Sequence, residues 1–107
     1  MKLKYKFGFG YYPLIIFDKD KYFLTDAIGE FNDKESVDWL YDKIKLVVEG
    51  KWEDKEIFGF AGMAHSVFVY INKTYFYGQE VEPLYEMRTS YLFEIIQEWR
   101  DFVYNNV

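Results

Sequence analysis

Residues 90–104, Ser90-Tyr91-Leu92-Phe93-Glu94-Ile95-Ile96-Gln97-Glu98-Trp99-Arg100-Asp101-Phe102-Val103-Tyr104, decide how the rest of the chain is read. Wound as a helix, they place Leu92, Ile95, Ile96, Trp99, Phe102 and Val103 on one stripe. That is the i, i+3, i+4, i+7 spacing of a helix lying on a core. Glu94, Gln97, Glu98 and Asp101 fall on the other side. Thr89 or Ser90 can cap the first turn, where a hydroxyl satisfies an orphan N–H. A helix with one apolar side needs an apolar layer to cover, so the upstream chain is expected to supply a sheet.

Upstream segments fit that demand. Leu3, Tyr5, Phe7 and Phe9 alternate with Lys2, Lys4, Lys6 and Gly8, the period of a half-buried strand. Leu14–Phe17 reads as a second strand after the turn at Gly10–Pro13, and Tyr22–Thr25 as a third, followed by a loop over 26–32. Asn32 or Asp33 caps a helix running to about Glu49, which Gly50 closes. Its inner stripe is Val37, Leu40, Tyr41, Ile44, Val47 and Val48. Ile57–Ala61, Ser66–Ile71 and Thr74–Tyr77 are three further strands, the last two joined by a tight turn at Asn72-Lys73. Gly59 and Gly62 suggest a bulge or bend. The acidic segment 78–88 is extended and offers an edge strand before the last helix. The expected fold is α+β: one domain over residues 1–107, an antiparallel sheet with two main helices, in the order β-β-β-α-β-β-β-α.

The composition narrows the function classes. With 107 residues and half of them apolar, including 11 Tyr, 11 Phe and 3 Trp, the chain is built to bury a core. It has no cysteine, which excludes disulfides, zinc–thiolate sites and cysteine nucleophiles and fits a reducing cytoplasm. The longest clean apolar run, Leu14–Phe17, is too short to cross a bilayer, and the lysine-interrupted start does not read as a signal peptide. Net charge is −5. Residues 1–17 hold three lysines and no acid, so the remainder carries −8. An acidic body repels nucleic acid and attracts a basic partner.

No catalytic motif emerges. His65 is the single histidine and has no ligand-type neighbour in sequence, so it reads as a turn or strand-start residue. Asp18-Lys19-Asp20 has the two oxygens of a cation site but no further acids, and reads as a solvated turn. Gly8-Phe9-Gly10 lacks the third glycine and following helix of a phosphate loop. Tyr75-Phe76-Tyr77 has the aromatic content of a base-stacking platform without enough flanking cations, and packing explains it better. No catalytic, cofactor-binding or metal-binding residue is assigned.

Two features point instead to a protein partner. Trp39 and Leu46 lie about 180° from the inner stripe of their helix, with Asp38, Asp42, Lys45 and Glu49 around them. An exposed tryptophan ringed by acids has the makings of an interface anchor. Glu80, Glu82 and Glu86 share one side of an extended segment, an acidic ridge suited to docking. The partner-binding residues expected are therefore Asp38, Trp39, Asp42, Leu46, Glu80, Glu82 and Glu86.

The helix end Val47-Val48-Glu49-Gly50-Lys51, the strand Phe58-Gly59-Phe60-Ala61-Gly62, the hairpin from Ser66 to Tyr75 and the closing Phe93-to-Phe102 run together resemble small immunity proteins of bacterial contact-dependent inhibition and related polymorphic toxin systems. The resemblance rests on packing patterns over most of the chain, so no site residue transfers with it. It implies a cytoplasmic protein that binds a cognate, basic toxin domain, often a nuclease, and blocks it. The alternatives are a stand-alone domain or homodimer and, last, a small enzyme.

Overall fold

The computed structural model describes residues 4–7, 13–16, 23–52, 58–62 and 64–106. Its elements are β1 (Lys4–Phe7), β2 (Pro13–Ile16), α1 (Phe23–Gly29), α2 (Lys34–Val48), β3 (Phe58–Ala61), β4 (Ser66–Val69), β5 (Lys73–Tyr77), β6 (Tyr85–Arg88) and α3 (Thr89–Asn106). The fold is α+β, with β3-β4-β5-β6 forming a four-stranded antiparallel sheet in sequence order. Strands β1 and β2 form a separate antiparallel hairpin, with Lys4 opposite Ile16 and Phe7 opposite Pro13.

One expected element is of the wrong type. The expected strand Tyr22–Thr25 and the loop behind it are replaced, from Phe23 to Gly29, by helix α1. The aromatic start of this segment favours a strand, but Leu24, Ala27 and Ile28 recur at i, i+3, i+4 and all three are buried. Packing a short helical stripe into the core outweighs local propensity there. Among the described residues the element order is therefore β-β-α-α-β-β-β-β-α, the short α1 standing beside the two main helices. The sixth strand, offered by the 78–88 segment, is β6 at the sheet edge.

Helix α2 begins and ends where its sequence signals stand. Asp33 Oδ1 accepts from the Ser36 N–H at 2.7 Å, and Ser36 Oγ accepts from the Asp33 N–H at 3.4 Å, a reciprocal capping box. At the other end Gly50 takes φ 72°, a left-handed conformation that glycine adopts without strain. Gly50 N–H then reaches Val47 O at 3.0 Å and Lys51 N–H reaches Leu46 O at 2.8 Å, closing the last turn. Val37, Leu40, Ile44 and Val47 are buried on the inner side.

Helix α3 buries Leu92, Ile95, Ile96, Trp99 and Val103 against α2 and the inner side of the sheet, with Phe102 half-buried beside them. Trp99 is fully enclosed and its indole N–H donates to Phe31 O at 2.8 Å, so the largest side chain in the core leaves no polar atom orphaned. The expected hydroxyl cap has a different job. Thr89 is buried, its hydroxyl donates to Tyr70 O at 2.5 Å and lies 2.9 Å from Thr74 Oγ1, and its N–H meets Asn72 O at 3.1 Å. These bonds pin the start of α3 to the β4–β5 turn.

Candidate protein interface

Alternation along the four strands sorts their side chains into two faces. Phe58, Phe60, Val67, Val69, Thr74, Phe76 and Met87 point into the core and are buried. The opposite positions carry Gly59, Ala61, Ser66, Phe68, Lys73, Tyr75, Tyr77, Glu86 and Arg88. Phe68 on that second face is exposed, and Tyr75 and Tyr77 are half-buried. A half-solvated antiparallel sheet ordinarily presents polar residues outward. This one presents rings. Phe68 and Tyr77 meet edge to face at 5.4 Å, and Tyr70 and Tyr75 do the same at 5.7 Å. Phe68 is 38% exposed and Tyr70 39%.

Register explains the paving. Gly59, Phe68, Tyr75 and Glu86 stand in one row across the sheet. The Phe68 ring lies over Gly59, close enough that a Cβ there would sit 3.6 Å from ring carbons. Gly59 is in regular register and not a bulge; a strand glycine beside an aromatic neighbour is roofed by it. Lys73 and Arg88 face each other at the turn end of the sheet, and Lys73 Nζ reaches Glu86 Oε1 at 3.5 Å.

At the opposite end, residues 78–84 leave the sheet as an irregular segment. Val81 is 94% exposed between Glu80 and Glu82, which are exposed as well. With Ala64 and His65 this segment encloses a groove of about 680 Å³. The expected acidic ridge does not form as a single line. Period-two alternation starts only at Tyr85, so Glu86 belongs to the sheet face while Glu80 and Glu82 sit on the segment before it.

The helix surface expected to bind a partner is altered more. Trp39 keeps 46% of its surface exposed, but its ring stacks on Phe31 at 6.2 Å and packs on Phe58 at 5.6 Å. It closes one flank of the core rather than standing free. Asp38 is engaged within the fold: Arg100 Nε donates to it at 2.7 Å and the Tyr104 hydroxyl donates to its other oxygen. Those bonds, Tyr104 first, hold the Asp38 carboxyl below its usual range and raise the Tyr104 phenol and Arg100 guanidinium. Arg100 also lies 4.5 Å over the Tyr41 ring. Asp42 is exposed and Leu46 half-buried.

His65 precedes β4, as a strand-start histidine should, and is buried. Its Nδ1 lies 2.8 Å from Asp26 Oδ2, which also accepts the Ala64 N–H at 3.0 Å. An ionised carboxylate only accepts, so this contact places the histidine proton on Nδ1. Gly62 completes the joint: a Cβ on it would lie 2.3 Å from Asp26 O. The cluster ties α1 to the β3–β4 turn. The Asp18–Asp20 and Gly8–Gly10 patterns lie outside the described residues.

Reading Tyr75-Phe76-Tyr77 as packing residues, and Phe68 and Tyr70 only as part of a strand, hides the ringed face in the sequence. The available signal was apolar residues at both parities of consecutive antiparallel strands, more than one core can take in. Comparison of the chain with protein-family models, with curated proteins and with solved structures gives no match.

Proposed function

We propose that this chain is a binding protein that neutralises a cognate bacterial toxin domain by contact rather than by turnover. The observation that carries the reading is the bare aromatic face of the β3–β6 sheet, which runs at one end into the exposed acidic segment at Glu80–Glu82. Apolar patches with a charged rim are typical of interaction surfaces, and aromatic side chains supply most hot-spot energy. The rings give contact area, and Val81 gives a projecting apolar tip. Glu80 and Glu82 give the negative charge that a basic partner would meet. A nuclease is such a partner, since it must hold phosphates, and carboxylates placed over its active site imitate them. Long-range attraction would speed the encounter and close charge pairs would slow its reversal. Such an inhibitor acts in the cytoplasm, before a delivered toxin reaches its target. No helix among the described residues is long and apolar enough to cross a membrane.

The test is titration against the C-terminal domain of the protein that the adjacent gene encodes. Phe68→Glu should weaken binding at least about tenfold, the loss of one hot-spot residue. Full affinity in Phe68→Glu and in the Glu80→Lys, Glu82→Lys pair would remove this surface from the reading.

A further inference from the structure

We infer that the bare sheet face closes on the same face of a second copy, in a two-fold dimer whose strands run in opposite directions across the contact. The inference stands on the face itself and does not depend on the toxin reading. Two features favour a second copy, and a third sets how tightly it is held.

The first is the distribution of charge. The middle of the face, around Phe68 and Tyr75, carries rings and no charge apart from Glu86, which Lys73 already meets. Arg88 stands at the turn end and Glu80 and Glu82 beyond the other end, and none of the three has an ion pair among the described residues. Charges of opposite sign, without an ion pair among the described residues, therefore mark opposite ends of one aromatic surface.

The second is symmetry. A two-fold axis lying in the contact plane and crossing the strands reverses them, so each end of one copy meets the opposite end of the other. Arg88 of each copy is then carried towards Glu80 and Glu82 of its mate, and the ring rows meet ring rows. Such an isologous contact makes every favourable pair twice.

The third is size. From Lys73 to Tyr77 the face runs about 13 Å, and four strands span about 14 Å between outer axes. That is well short of the roughly 800 Å² per partner of a standard stable interface, even with the exposed Ile71 and Val81 added at the two ends. The dimer is accordingly a weak one, with a dissociation constant of about micromolar or above. A toxin domain using the same face would displace the second copy; that consequence alone rests on the function proposed above.

The experiment is sedimentation velocity on the full chain, from about 1 to about 500 µM at about 50 mM salt. The weight-average mass should rise from 13.0 kDa toward twice that value. Phe68→Glu should move the midpoint to at least about tenfold higher concentration, with circular dichroism and melting unchanged because the ring is outside the core. Arg88→Glu should weaken association about three- to tenfold, and adding Glu80→Arg with Glu82→Arg should recover it, since the swapped charges again meet opposite signs. A mass fixed at 13.0 kDa throughout, or association untouched by Phe68→Glu, overturns the dimer. Failure of the swapped variant to recover overturns the antiparallel arrangement. A monomer whose Phe68→Glu variant still loses a cognate toxin domain assigns the face to the toxin and overturns self-association.

Discussion

Trp99 and Gly62 show how single residues set limits that their neighbours cannot relax. Trp99 is fully buried and its N–H is bonded to Phe31 O, so it couples α3 to the α1–α2 connection by shape and by polarity. Trp99→Ala should cost about 3–5 kcal/mol in chemical denaturation, the range for deleting a large core aromatic. Trp99→Phe keeps most of the volume and leaves the half-buried Phe31 carbonyl without its donor, so it should cost about 1 kcal/mol. A loss below about 1 kcal/mol for the alanine variant would show that the site collapses around the missing ring. Gly62 is constrained by space rather than by dihedral angle. Any side chain there runs into the Asp26 backbone, which belongs to a helix and cannot turn aside as a flexible side chain would. Gly62→Ala should destabilise by about 1–3 kcal/mol, the cost of overpacking, and an unchanged melting curve would contradict this close approach.

At the level of elements, the α2–α3 pair is fastened at its surface by Asp38, Arg100 and Tyr104. Asp38 has its folded pKa depressed, by hydrogen bonds from Tyr104 and then Arg100. Its contribution is therefore present above the unfolded aspartate value of about 3.9 and is lost as pH falls through the lower folded value. Asp38 and Arg100 are about one-third exposed, at 35% and 34%, and solvent screens them, so the contribution is about 1 kcal/mol or less. Asp38→Asn should melt below the parent at pH 6, and the gap should close as both are titrated through and below the lowered folded value. A gap that persists there would mean that the carboxylate charge is not what fastens the helices. This fastening also changes what Asp38 can offer a partner, since its two oxygens are already occupied by donors from α3.

For the whole molecule, the functional reading turns on one face of a sheet and the acidic segment at its end. If the partner is basic, the Glu80→Lys, Glu82→Lys pair should slow association about tenfold near 50 mM salt and change dissociation little. Raising the salt to about 500 mM should shrink the difference, because the Debye length falls to a few ångströms. Stopped-flow association with the cognate domain measures both. An association rate insensitive to salt and to these charges would leave the rings alone to recognise the partner.

Features that depend on spacing along the chain were legible in it. The stripe of α3, both ends of α2, the β4–β5 hairpin and the strand-start place of His65 follow from periodicity, capping residues and turn residues within a few positions of one another. The α+β class follows from those elements, because two one-sided helices require a sheet beneath them. What only the tertiary structure decided depends on neighbours distant in sequence. Tyr22–Thr25 has strand-forming residues, yet Phe23–Gly29 is helical because its stripe of Leu24, Ala27 and Ile28 is buried in the core. Asp38 is polar and acidic in sequence, but α3 brings Arg100 and Tyr104 to it from more than sixty positions away. Trp39 stands on the polar side of its helix, and Phe31 and Phe58 cover half of it. The aromatic face could not be seen either. A residue's parity along a strand says which side it takes, but only the packed helices decide which side is the core and which is left bare.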